Sequence, residues 1–162
     1  MIRLAEPSDL AHVVAIYNAS IPGRMATADL APVSVADRQA WFDDFDATRR
    51  PLWVYCGDDG LPLAWLSLRS FYGRPAYAET VEVGIYTAPQ AQRQGLGRRL
   101  LAHAIDRAPG FGISTLLAFT FAHNAPSVGL FERAGFAAWG RLPGVARLDG
   151  VRRDLLILGR AL

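Results

Sequence analysis

Apolar residues recur along this chain with two different periods. Leu10, Val13, Val14 and Tyr17 fall three or four positions apart, and so do Leu96, Leu100, Leu101, Ala104 and Ile105, which puts each set on one face of a helix. Pro7-Ser8-Asp9 opens the first of these helices, predicted to run to about Ala19, and the other is predicted over Gly95 to Ala108. Two more are predicted from about Val35 to Asp46, with Trp41, Phe42 and Phe45, and from Pro126 to Ala134. Shorter apolar runs bounded by turn residues read as strands at Ile2 to Ala5, Leu52 to Cys56, Leu61 to Arg69, Val81 to Thr87, Thr115 to Phe121, Phe136 to Leu142 and Arg152 to Leu158. Gly57-Asp58-Asp59-Gly60 is a hairpin turn, while Ile21 to Pro32 and Tyr72-Gly73-Arg74-Pro75 read as loops. The early strands are therefore antiparallel neighbours, and the long helix is a crossover from the fourth strand to the fifth. The expected fold is α/β, with helices flanking a mixed, mostly antiparallel central sheet of about seven strands.

A chain of 162 residues, 51% hydrophobic, buries a core of its own, so one domain spanning residues 1–162 is expected, and no internal repeat interrupts it. The net charge is only +2 and the arginines are dispersed, so no nucleic-acid partner is expected. No apolar run approaches the length of a membrane span, and Met1-Ile2-Arg3-Leu4-Ala5-Glu6 does not resemble a signal peptide, which predicts a cytoplasmic protein with no membrane partner. The single cysteine, Cys56, lies in an apolar run and reads as a core residue.

The stretch Gln92-Arg93-Gln94-Gly95-Leu96-Gly97-Arg98 joins the Val81 to Thr87 strand to the long helix. A strand, a glycine turn and a helix start leave unpaired N–H groups at a positive dipole end, to which Arg93, Arg98 and Arg99 add full charges. A pyrophosphate fits such a place; so does a bare turn whose glycines serve its geometry alone. Two familiar phosphate motifs fail. A dinucleotide fingerprint requires glycine at position 100, which is Leu100, and an acidic residue about 20 positions on, where the chain reads Leu116-Leu117-Ala118-Phe119. A P-loop requires lysine, and all 17 basic residues are arginine. His12, His103 and His123 lack metal-ligand spacing and no Gly-x-Ser-x-Gly is present, so no metal is expected.

Taken together, Gln92-x-x-Gly95-x-Gly97, Asn124 after the next strand, and Leu130-Phe131-Glu132-Arg133-Ala134-Gly135-Phe136 resemble the acyl-CoA N-acetyltransferases of the GNAT superfamily over nearly the whole chain. Ile16-Tyr17-Asn18, Val81-Glu82 ahead of Ile85-Tyr86, the Gln92 to Gly97 turn and Asn124-Ala125-Pro126-Ser127 are similar to the phosphinothricin acetyltransferase group, which includes enzymes that acetylate methionine sulfone and sulfoximine. The resemblance implies a GNAT-type fold and acetyl-CoA as acyl donor. Its pyrophosphate would lie on Arg93, Gln94, Gly95, Leu96, Gly97 and Arg98, with further contacts at Asn124 and Ser127. The main chain of Ile85, Tyr86 and Thr87 would face the acetyl and pantetheine groups where the fourth strand splays from the fifth. A homodimer is also implied.

Acetyl transfer to an amine needs a neutral amine and a polarised carbonyl. The glutamate that matches Glu82 is the family group's proposed general base; on an apolar strand its pKa would rise toward a useful range, unless it merely pairs with Arg69 or Arg74. Gly84 marks a bulge, a close backbone approach or weak packing. Phe131 departs from the wider family, which places a tyrosine there as acid for the leaving thiolate; solvent, Tyr86 or His123 would protonate it instead. Arg69 and Arg74 suit a substrate carboxylate, with Phe71, Tyr72 and Tyr77 against its side chain, or are solvated loop residues. The Phe71 to Tyr77 stretch differs from that of the phosphinothricin and sulfone enzymes, which leaves the amine open. Acetylation of a protein N-terminus or lysine, or a non-catalytic acyl-CoA sensor, are the competing expectations.

Overall fold

A computed structural model describes all of residues 1–162. The elements are β1 (Ile2–Leu4), α1 (Leu10–Ser20), α2 (Val35–Asp43), β2 (Leu52–Cys56), β3 (Pro62–Ser70), β4 (Thr80–Thr87), α3 (Leu96–Arg107), β5 (Thr115–Phe121), α4 (Ala125–Arg133), β6 (Ala137–Leu148) and β7 (Val151–Ala161). All seven strands form one open sheet in the order β1-β2-β3-β4-β5-β7-β6. Every neighbouring pair is antiparallel except β4 and β5, which run parallel with α3 as the crossover. This is the mixed, mostly antiparallel sheet that the strand spacing predicts.

The apolar face of α3, Leu96, Leu100, Leu101 and Ala104, is buried against the sheet. At about 2 kcal/mol for each buried leucine, this seam holds the helix start in a fixed place beside β4. On the other side of the sheet α1 packs Val13, Ile16 and Tyr17 into the same core, and the indole of Trp65 in β3 donates to the Val13 carbonyl at 3.0 Å.

Strand β7 runs to Ala161, three residues past the expected Leu158, and two further element ends differ from the sequence expectation for a visible reason. Helix α2 stops at Asp43 rather than Asp46, because the Asp46 side chain turns back to accept from Thr48 N–H at 2.7 Å while Asp46 N–H pairs with Arg50 O at 3.0 Å. Strand β6 continues six residues past Leu142, through Pro143-Gly144. The register shifts between Leu142 and Ala146, and Asp154 of β7 accepts from Gly144 N–H at 2.8 Å, so the proline sits in a bulge on the sheet edge, where a missing N–H is tolerated.

Candidate active site

The β4–β5 pairing is short. Thr80 pairs with Thr115, Val81 with Leu116 and Glu82 with Leu117; beyond that point the two strands part, although β5 stays paired to β7 as far as Phe121. The β3–β4 ladder continues without a register shift through Thr87, so β4 is held on one edge and bare on the other. Ala88 N–H pairs with Leu63 O and Phe71 N–H with Thr80 O, which fixes the alternation. The main-chain groups of even-numbered residues, Tyr86 among them, face β3, and those of Ile85 and Thr87 face the gap. The fork that the family resemblance implies is therefore present, and of Ile85, Tyr86 and Thr87 the structure turns Ile85 and Thr87 toward it. Gly84 makes no bulge: its pairing with Ser67 is regular.

Glu82 stands at the closed end of this fork. Its carboxylate is half-buried and appears in no ion pair, and Arg69, directly across the ladder, comes no closer than the ion-pair limit. Burial pushes its pKa up from the ordinary 4.5, and the opposing pull of the Arg69 charge does not offset that. The simple pairing with Arg69 or Arg74 is thus not what the structure shows. Arg74 lies on the exposed β3–β4 loop beside an aromatic group in which Phe71 meets Tyr72 at 4.2 Å, Tyr77 at 5.3 Å and Phe119 of β5 at 6.4 Å.

On the opposite face of β4 lies the glycine turn. Gly95 caps α3 with φ +76°, a conformation that favours glycine, and Arg93 also has positive φ. No acceptor within the protein is taken by the N–H groups of Arg93 through Arg98; the next, Arg99 N–H, closes the first helical bond on Gly95 O. Gly97 is different from Gly95. It is helical, and a Cβ there would lie at ordinary contact, 3.5 Å from Leu130 and 3.7 Å from Ile85. Neither conformation nor protein packing demands glycine at 97, although glycine in a helix costs up to about 1 kcal/mol. Arg93 and Arg98 are exposed and unpaired, whereas Arg99 turns away to donate to the Tyr55 hydroxyl at 2.9 Å. Leu96 is buried and offers the turn only its N–H.

Asn124 caps α4: its Oδ1 accepts from Ser127 N–H at 3.2 Å, and its Nδ2 donates to Met25 O at 3.0 Å. Two neighbouring carbonyls of the α1–α2 loop are held in the same way. Nε2 of His123 donates to Arg24 O at 2.8 Å, since a carbonyl only accepts, and the Tyr86 hydroxyl donates to Ala26 O at 3.3 Å. Arg24 further donates to Asp149 in the β6–β7 turn at 2.9 Å. Tyr86 itself stacks on Trp65 at 4.7 Å and meets the Tyr17 ring at 5.1 Å, and burial raises its pKa, which makes it a poor proton donor. Phe131 packs edge-on against Phe136 at 5.0 Å in the core. Sequence reasoning missed these ties and the cluster beneath them, where the Tyr17 hydroxyl binds Thr27 and Asp29 while Arg38 lies 4.5 Å over the Tyr17 ring. Contacts such as Asn124 with Met25, 99 residues apart, leave no local signal. No cluster of three His, Cys, Asp or Glu residues is present, and no helix is long and apolar enough to cross a membrane.

Residues 15–136 match the model of the Acetyltransferase (GNAT) family. The chain is 51% identical over 161 residues to YwnH of Bacillus subtilis (strain 168), covering 99% of this chain and 98% of that one. It is 33% identical over 157 residues to the L-methionine sulfoximine/L-methionine sulfone acetyltransferase of Pseudomonas aeruginosa, covering 97% and 91%. Its structure superposes with a TM-score of 0.94 on a GNAT superfamily phosphinothricin acetyltransferase from Sinorhizobium meliloti in complex with acetyl-CoA, at 26% identity, covering 100% of this chain and 88% of that one. The forked sheet, the glycine turn and these matches agree: the chain belongs to the GNAT acetyltransferase family and is an N-acetyltransferase.

Proposed function

We propose that the enzyme transfers an acetyl group from acetyl-CoA directly to the primary amine of a small amino-acid-like substrate of the phosphinothricin or methionine sulfone/sulfoximine type, with Glu82 as general base. The observation that carries this reading is the position of Glu82, an unpaired carboxylate of raised pKa at the closed end of the fork. When bound, acetyl-CoA supplies an activated acyl carbon. The six free N–H groups from Arg93 to Arg98, with the Arg93 and Arg98 side chains, hold its pyrophosphate at the positive end of α3. The outward main-chain groups of Ile85 and Thr87 line the fork and offer donors for a polarised carbonyl. Asn124 retains a second N–H beyond the one given to Met25, and Ser127 lies one turn along α4, so both remain open to the cofactor. Glu82, more basic than a solvated glutamate, removes a proton from the amine. Arg69, across from Glu82 and free of any carboxylate, and Arg74 bind the substrate carboxylate, with Phe71 and Tyr77 against its side chain.

The same reading makes the protein a cytoplasmic homodimer. Exposed Trp139, Leu142 and Val145 on edge strand β6 support an apolar contact with a second copy.

The test is release of CoA thiol from acetyl-CoA with phosphinothricin, methionine sulfone, methionine sulfoximine and ordinary amino acids as acceptors. Release with one of these establishes the small-amine reading. Silence with all of them, while acetyl-CoA still raises Tm, rules out this substrate class.

A further inference from the structure

The face of the sheet that carries Glu82 has a polar group for which the steps above give no use. In the β3–β4 ladder Trp65 pairs with Tyr86, Ser67 with Gly84, and Arg69 with Glu82. Alternation puts all six positions on one face. Trp65 and Tyr86, stacked at 4.7 Å, form one wall, and Arg69 and Glu82 form the other. Between the walls stand only a hydroxymethyl group and a residue with no side chain.

A Cβ at Gly84 would lie 3.0 Å from Ser67 Oγ, so the hydroxyl is aimed into the space that glycine leaves open. Ser67 is 3% exposed, and its hydroxyl makes no hydrogen bond within the protein. That oxygen nevertheless keeps some accessible surface, because the fully covered side-chain polar atoms without a partner are Nδ1 of His12 and Nδ1 of His123 alone. A buried hydroxyl without a partner is unfavourable, and so is glycine inside a strand that packs regularly. A ligand that reaches the hydroxyl through the glycine notch accounts for both.

We propose that Ser67 Oγ is a substrate-binding group that accepts one N–H of the acceptor's primary amine while Glu82 accepts another. This rests on the small-amine acetyltransferase reading. Ser67 and Glu82 are diagonal neighbours on adjacent strands, roughly 7–8 Å apart at the main chain, and two hydrogen bonds of about 2.9 Å meeting at one nitrogen span most of that gap, the rest of which the longer Glu82 side chain closes. Glu82 takes the proton that leaves nitrogen. The freed electron pair forms the N–C bond to the acyl carbon, and the C–S bond breaks with its pair staying on sulfur as thiolate. The N–H that Ser67 holds fixes the direction of the attacking lone pair. An N-methyl group would replace the N–H that Ser67 accepts, so the two acceptors together favour primary amines.

The test compares wild type with Ser67→Ala, Ser67→Thr and Gly84→Ala, using an accepted primary amine and its N-methyl analogue. Ser67→Ala is expected to lower kcat/KM for the primary amine about tenfold and to narrow its preference over the N-methyl analogue, with KM for acetyl-CoA unchanged and Tm equal to or above that of wild type. Gly84→Ala, which fills the notch, should show the same selective loss, and Ser67→Thr should retain most of the activity because it keeps the hydroxyl. Ser67→Ala and Gly84→Ala both within about twofold of wild type on the primary amine would overturn the proposal while leaving the function intact. A wild type that releases no CoA with any primary amine removes the functional reading and this inference together.

Discussion

Glu82 is the last residue of β4 to keep a partner on β5: it lies opposite Leu117, and every later residue of β4 has lost that neighbour. The carboxylate therefore sits where the sheet stops covering itself, close to main-chain groups that are free to bind. Glu82→Gln keeps the shape and removes the proposed base. Turnover at neutral pH is expected to fall roughly 10²-fold or more, with the acetyl-CoA-induced rise in Tm retained. In the wild type, kcat/KM should fall on acidification at a pH above 4.5, the ordinary glutamate value, because burial has raised the titration point. Full turnover by Glu82→Gln would place the base elsewhere.

The same carboxylate carries a stability consequence of definite sign. Its pKa is higher in the folded chain than in the unfolded one, so the folded state holds the proton more tightly. The resulting stability is present below the ordinary value and is lost as pH rises through the folded value. Glu82→Gln carries no charge to bury, so its Tm should exceed that of wild type at pH 7, and the difference should vanish below pH 4.5. A less stable variant at pH 7 would mean that the charge is compensated in the fold.

Gly97 separates stability from binding. Gly97→Ala removes a helix penalty of up to about 1 kcal/mol, and its Cβ meets Leu130 and Ile85 at ordinary distances, so Tm should rise by roughly 2–4 °C. Affinity for acetyl-CoA, read by calorimetry, should nonetheless weaken. Gly97→Glu, which adds bulk and negative charge at the free N–H groups, should abolish binding. Unchanged affinity in both variants would sink the pyrophosphate assignment.

Asn124 serves two neighbours with two different atoms. Asn124→Ala loses the α4 cap and the bond to Met25 O, together about 2 kcal/mol, or roughly 4–8 °C in Tm. Asn124→Asp keeps the capping acceptor and cannot donate to Met25 O. It should recover much of the Tm while KM for acetyl-CoA rises, since a carboxylate has no N–H to offer the cofactor. Equal loss of Tm in both variants would show that the cap contributes little.

What could be read from the sequence followed the range of the interactions involved. Helix α3 and the turn before it were legible because Leu96, Leu100, Leu101 and Ala104 repeat with a helical period and the glycines stand beside them. The fork was legible only through family resemblance, since nothing in Val83-Gly84-Ile85 marks where pairing with β5 ends. Gly84 offered three meanings, and the regular ladder with Ser67 removed the bulge among them. Pro143-Gly144 looked like the end of a strand because its bulge depends on Asp154, ten residues further along the chain.

Successive carbonyls of Arg24, Met25 and Ala26 are held by His123, Asn124 and Tyr86, which come from the β5–α4 junction and from β4. The α1–α2 loop is thus stitched to the walls of the fork at three adjacent points. Grafting this loop alone onto a relative would leave three carbonyls without their donors. A transplant of this loop between such enzymes has to move residues 24–26 together with His123, Asn124 and Tyr86, a set distributed over 100 positions of the chain that behaves as one interchangeable part.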